Sequence, residues 1–213
     1  MSFRKSSFIR YRGTENDTVI LIHGWGVRAV FMERLAKYFL AEGFSVWNYD
    51  YPTSKYHIPE HGRQFLERFR EEEFPGRLFF LTHSMGGLVL RYAMSEMTED
   101  ECRKIDSIVM LGPPNRGSIL ALPGKIPPIP WINRPWGDMS PGSKILQIPF
   151  PKYLPPTGII AGTRDGKVSF QSTALPEGYP FQRTTVNSSH PGLRHPEKTG
   201  EQILTFFRTK QFK

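Results

Sequence analysis

The stretch Arg77–Leu90, RLFFLTHSMGGLVL, opens on four consecutive apolar residues, Leu78–Leu81. It then passes through Thr82-His83-Ser84-Met85-Gly86 into a segment with apolar side chains at Leu88, Val89 and Tyr92. That pattern predicts a strand, a sharp turn and a helix. A serine at such a turn has its hydroxyl pushed out of the protein, provided that the residues two before and two after it are small enough for strand and helix to pack closely. Gly86 meets the second requirement, whereas Thr82 stands where the commonest version has glycine. A serine between a strand and a helix is ordinarily just an N-cap, so the weight of the reading falls on what surrounds it.

Upstream, Thr18–Ile22 is a short β-branched run that ends in His23-Gly24-Trp25-Gly26, which reads as a buried parallel strand closing on a glycine turn. A helix is expected from about Arg28 to Ala41, with Phe31, Leu35, Tyr38 and Phe39 on one face and Gly43 as its stop. A strand over 44–50 and a helix over 60–73, striped by Phe65, Leu66 and Phe69, lead to the Ser84 turn. Residues 3–12, with Phe3, Phe8, Ile9 and Tyr11, suggest an edge strand or arm. Downstream, the Ser84 helix is expected to fray near 98–100, and strands follow over 105–111, 158–161 and 181–186, with a last helix over 197–207. Strands alternating with helices of crossover length indicate an α/β fold, a mostly parallel sheet covered by helices on both faces. The exception is the segment 113–156. It holds 12 of the chain's 19 prolines and little room for regular structure, so it reads as an insertion, a lid or pocket wall, within a single domain of residues 1–213.

Composition narrows the class. With 38% hydrophobic and 23% charged residues the chain is that of a globular protein, and no apolar run approaches the roughly 20 residues needed to span a bilayer. The N-terminal residues Met1–Ser7 carry charge without an apolar core behind it, unlike a secretory signal, so a cytoplasmic location is expected. The single cysteine, Cys102, excludes an internal disulfide. The net charge of +8 comes from basic residues scattered among acidic ones, as in 63–73, and no nucleic-acid motif accompanies it. A solvated surface explains it, with contact to an anionic lipid surface as the minor alternative and no stable membrane insertion.

In a parallel sheet, active sites gather at the carboxyl ends of the strands, and the chemically suggestive residues all fall there. A serine hydroxyl needs a base to take its proton as it attacks, and the base must be held in one tautomer by a carboxylate. The order nucleophile, acid, histidine is filled by Ser84, Asp165 in Ala161-Gly162-Thr163-Arg164-Asp165-Gly166, and His190 in Ser188-Ser189-His190-Pro191-Gly192-Leu193. Asp-Gly is a common turn pair and a loop histidine is common on surfaces, so position and order together carry the assignment. The competitors are Asp50 for the acid, and His195 and His83 for the base, with His83 expected to point away from the site. Backbone N–H groups of Met85 and Trp25 are the expected oxyanion donors, and Trp131 and Trp136 of the Pro-rich segment the expected substrate-binding residues.

Together, Leu21-Ile22-His23-Gly24-Trp25, Thr82-His83-Ser84-Met85-Gly86-Gly87, Leu111-Gly112-Pro113-Pro114-Asn115-Arg116-Gly117-Ser118, Gly162-Thr163-Arg164-Asp165-Gly166 and His190-Pro191-Gly192-Leu193 resemble the α/β-hydrolase fold, and within it small lipase- or esterase-like members. The resemblance spans nearly the whole chain. It implies a serine hydrolase acting on a small-molecule ester or lipid, without cofactor or metal. The same three residues also serve acyl transfer and thioester cleavage, and a hydrolase-like fold can hold a ligand with little turnover. The departures are Thr82 in place of glycine and the Pro-rich insertion.

Overall fold

A computed structural model describes residues 6–149, 151 and 153–212. Seven strands form one sheet: β1 (Ser7–Tyr11), β2 (Thr18–Ile22), β3 (Ser45–Asp50), β4 (Leu78–His83), β5 (Ile105–Leu111), β6 (Thr157–Gly162) and β7 (Gln182–Val186). Their spatial order is β1-β3-β2-β4-β5-β6-β7, antiparallel only where β1 meets β3. The central strands are apolar at consecutive positions because both faces are covered. In β2 and β4 the period of two divides them between two cores. Ile20, Ile22, Leu78 and Phe80 join the core under helices α2 (Ile58–Arg70) and α3 (Met85–Ser95). Val19, Leu21, Phe79 and Leu81 join the core under α1 (Glu33–Ala41) and α8 (Pro196–Thr209).

Several expectations are corrected. The arm expected over 3–12 forms a strand from Ser7 onward, while Phe3 lies outside the described residues. The helix expected from Arg28 begins as a 3-10 turn over Ala29–Met32 before α1. At three residues per turn, Ala29 and Met32 face inward together, and Phe31 is left 53% exposed. The chain does not fray after α3. Thr98 caps a new helix, α4 (Glu99–Arg103), in a reciprocal capping box with Glu101.

The Pro-rich segment holds more regular structure than its composition suggests: 3-10 turns over Ile119–Lys125 and Lys144–Gln147, and helices α5 (Ile129–Ile132) and α6 (Arg134–Asp138). Each piece is a turn or two; in α5 and α6 proline stands in the first turn, where it is tolerated, and Pro123 falls inside the 3-10 stretch over Ile119–Lys125. The segment is stitched to the body. Asp138 accepts the Ile58 N–H at 2.9 Å, satisfying an otherwise free donor at the start of α2, and lies 3.0 Å from His57 Nδ1. The buried guanidinium of Arg91 on α3 donates to Asn115 Oδ1 at 3.2 Å and to the Leu146 carbonyl at 3.2 Å. A short helix α7 (Phe170–Thr173), unexpected from the sequence, and a 3-10 turn over Pro191–Arg194 complete the fold.

Candidate active site

Ser84 sits between β4 and α3 at φ 53°, ψ −126°. A non-glycine residue at positive φ is strained and persists only where neighbours over-determine it. Here the Ser84 N–H is held by the Leu111 carbonyl at the end of β5, 2.9 Å away. A side chain at position 86 would place its Cβ 2.3 Å from the Ile22 carbonyl oxygen, so α3 can start against the end of β2 only with glycine there. The departure at Thr82 is accommodated from the other side: a Cβ on Gly87 would lie 3.3 Å from Thr82 Oγ1. The second glycine of the Gly86-Gly87 pair leaves the room that the threonine takes.

Asp165 and His190 come from the loops after β6 and β7, and backbone bonds fasten those loops together. Thr163 N–H donates to the Val186 carbonyl at 2.9 Å and Arg164 N–H to the Ser188 carbonyl at 3.1 Å. The result is a 2.6 Å contact between Asp165 Oδ2 and His190 Nδ1. The other carboxylate oxygen accepts the N–H groups of Lys167 at 2.8 Å and Val168 at 2.9 Å. Burial raises the Asp165 pKa, but the hydrogen bond and charge of His190 and the two backbone donors outweigh it and leave the carboxyl below its ordinary value.

Ser84 and His190 line one cavity of about 210 Å³. Trp25, Val27, Leu120, Ala121, Trp136 and Met139 give it an apolar wall, and Lys167 and Arg194 also reach it. Trp25 and Trp136 stack with ring centroids 5.6 Å apart and planes 18° off parallel. Trp25 Nε1 donates to Asn133 Oδ1 at 2.9 Å, and Trp136 Nε1 to the Leu120 carbonyl at 3.1 Å. The structure thus brings together Ser84, His190, Asp165, Trp25 and Trp136. Met85, buried, is the first residue of α3, where an N–H has no partner within the helix. Trp131 is not part of this group: it is 76% exposed and does not line the cavity.

The competing residues are engaged elsewhere. Asp50 accepts the Ala29 N–H at 3.0 Å and lies 3.6 Å from His23 Nε2, so it secures the turn after β2 and the start of the next helical segment. His195 lies 3.5 Å from Glu197 at the start of α8. His83 does not point away as expected. Its buried ring lies 4.7 Å from that of His190, with Nε2 3.0 Å from the His190 carbonyl, and it contributes to the cavity wall. Burial, and then the neighbouring His190 and Arg194, hold its pKa well below the ordinary histidine value, which fits a neutral ring donating Nε2–H to that carbonyl.

Over residues 19–200 the sequence matches the model of the "Alpha/beta hydrolase family". The chain belongs to that family. Among solved structures, the α/β hydrolase is similar to the lipase BlEst2 of Bacillus licheniformis. In the propeptide form the TM-score is 0.78 at 14% identity, covering 97% of this chain but 54% of the other. This chain therefore spans about half the propeptide form. In the mature form the TM-score is 0.75 at 14% identity, covering 94% of this chain and 98% of the other. Est1E of Butyrivibrio proteoclasticus, solved with ferulic acid bound, has a TM-score of 0.68 at 15% identity, covering 96% and 95%. No curated protein sequence matches the chain. At these identities the α/β-hydrolase architecture is what is shared.

The residues of the cavity wall were only partly visible in the sequence. Leu120 and Met139 reach the cavity because bonds such as Ser118 N–H to the Met139 carbonyl, 2.8 Å, fold the Pro-rich segment back on itself. No sequence motif signals that. Lys167 and Arg194 lie two and four residues beyond Asp165 and His190 in the chain, so proximity to those motifs was the available signal.

Proposed function

We propose that this α/β hydrolase cleaves carboxylic esters with an apolar, lipid-like portion through an acyl-enzyme on Ser84. The observation that carries the proposal is the 2.6 Å contact of His190 with a buried carboxylate, in a cavity shared with a serine held at positive φ. Asp165 binds the Nδ1–H of His190, which leaves Nε2 unprotonated and able to accept the Ser84 hydroxyl proton. Ser84 Oγ attacks the ester carbonyl, and the negative oxygen that forms accepts the backbone N–H groups of Met85 and Trp25. The α3 dipole adds to that stabilisation. Protonated His190 then hands its proton to the departing alkoxide. Water, deprotonated by the same imidazole, releases the acid and restores Ser84.

The apolar wall supports an apolar acyl or alcohol portion, since each buried methylene adds about 0.8 kcal/mol of binding. The Pro-rich segment acts in this reading as pocket wall through Leu120, Trp136 and Met139. Its outer side exposes Ile119, Leu122, Ile126, Trp131 and Ile132, which supports contact with a lipid surface. No described helix is long and apolar enough to cross a membrane. The test is a series of 4-nitrophenyl esters of rising acyl length. The expected result is turnover that increases over short to medium chains and vanishes in Ser84→Ala; turnover that persists in that variant contradicts the proposal.

A further inference from the structure

The cavity has a charge imbalance that ester hydrolysis does not use. Lys167 and Arg194 both line it, and no acidic residue does. Asp165, two residues before Lys167, is already committed, with one oxygen on His190 and the other on two backbone N–H groups. The Lys167 backbone is pinned on both sides, its N–H on Asp165 Oδ1 at 2.8 Å and its carbonyl accepting Ser118 Oγ at 2.6 Å. Its ammonium forms no ion pair among the described residues. Arg194 is 9% exposed, and its Nε donates to the Pro191 carbonyl at 3.3 Å. Its guanidinium carbon sits 5.2 Å from the Phe31 ring centroid, while the buried Nη1 has no acceptor among the described residues. With two cations and no carboxylate on its lining, the cavity offers charge-assisted contacts to an anionic group that enters it.

From this arrangement we infer that the cavity is a site for anionic esters, with a carboxylate or phosphate of the substrate seated at Lys167 and Arg194 and its apolar portion against Trp25 and Trp136. The inference rests on the ester-hydrolase reading for the reaction, but not for the anion contact. The two cations follow the acid and the base in the chain, and the aromatic pair lines the same cavity. The cavity therefore accommodates an amphiphile rather than a purely apolar ester.

Two measurements separate the claims. In the first, kcat/KM for 4-nitrophenyl hemisuccinate is divided by that for the neutral 4-nitrophenyl methyl succinate, for wild type, Lys167→Gln, Lys167→Glu and Arg194→Gln. The ratio is expected at roughly ten, the size of one charge-assisted contact. It should fall toward one in Lys167→Gln, fall below one in Lys167→Glu and drop in Arg194→Gln. In the second, octyl phosphate and octanol are titrated into the Ser84→Ala protein, followed by tryptophan fluorescence, to which the Trp25–Trp136 pair of the cavity contributes. Octyl phosphate should bind roughly tenfold tighter, and Lys167→Glu in the same background should remove the difference. An advantage in the first measurement alone assigns the site to carboxylates, and in the second alone to phosphates. Absence of hydrolysis together with a Lys167-dependent preference for octyl phosphate overturns the ester-hydrolase reading and leaves the anion site standing. Hydrolysis through Ser84 with no anionic advantage in either measurement, or an advantage that survives both Lys167→Glu and Arg194→Gln, overturns the anion site.

Discussion

Replacing Asp165 by asparagine tests the acid with little disturbance of the fold, because the structure dictates how the amide must sit. One carboxylate oxygen accepts two N–H groups, from Lys167 at 2.8 Å and Val168 at 2.9 Å, and the other faces His190 Nδ1 at 2.6 Å. If the asparagine NH₂ faced the backbone, the Lys167 and Val168 N–H groups would both lose their acceptor and meet a donor instead. The amide oxygen therefore takes the backbone side and the NH₂ is presented to His190. An NH₂ there requires an unprotonated Nδ1, which puts the imidazole proton on Nε2, the atom that must accept the Ser84 proton. The expected loss is about 10⁴-fold in kcat, equivalent to about 5.5 kcal/mol of barrier. The assay is steady-state hydrolysis of a 4-nitrophenyl ester, with thermal melting to verify that the fold survives. Asp50→Asn is the comparison: it should lower the melting temperature by weakening the Ala29 and His23 contacts while keeping most of the rate. An Asp165→Asn protein whose kcat stays within roughly tenfold of wild type would falsify the tautomer argument.

Three further perturbations follow from the same geometry. Gly112, at φ +53°, would with a Cβ lie 3.1 Å from Asp165 Oδ2 and 3.2 Å from His190 Nδ1, so Gly112→Ala should cost about 1 kcal/mol in backbone strain, a fall of roughly 2–4 °C in melting temperature, and roughly 10²-fold in kcat by displacing the pair; an unchanged kcat contradicts this. His61, packed edge-on against Tyr51 and Tyr56, has its pKa lowered by burial to about 4 from an ordinary 6.5. The unfolded chain therefore binds the proton more readily, and the stability that neutral His61 contributes is intact above pH 6.5 and lost as the pH falls toward 4. In His61→Phe the melting temperature should decline less over that window, and an unaltered slope refutes the assignment. Trp136→Ala should flatten the acyl-length dependence, worth about 0.8 kcal/mol per methylene, whereas Trp131→Ala should leave it as in wild type; equal effects in the same ester series would count against the cavity wall as described.

Much of this was legible because a parallel sheet writes itself plainly. β2 and β4 are continuous apolar runs, and each ends at a glycine-bearing turn, so strand, order and functional edge could be read together. Asp165 and His190 were found by position after strands rather than by any property of their own. What stayed hidden depended on contacts between distant segments. Phe31 was misplaced because a 3-10 start shifts the register by a fraction of a turn, and the Phe31 ring lies under Arg194, 163 positions further along. The position of His83 beside the His190 carbonyl needs two loop conformations at once. Trp131 and Trp136, five residues apart and alike in the sequence, are separated by tertiary structure: Trp136 is held by Trp25 and the Leu120 carbonyl, whereas α5, which carries Trp131, buries none of its residues.

The central claim is that Ser84 is an activated nucleophile, and covalent labelling tests it most directly. The protein is treated with a fluorophosphonate, digested, and the modified peptide identified by mass spectrometry. The account predicts one adduct, on Ser84, absent from Ser84→Ala and formed far more slowly in His190→Ala. An unlabelled Ser84 in folded wild-type protein, or labelling at an undiminished rate in His190→Ala, contradicts it.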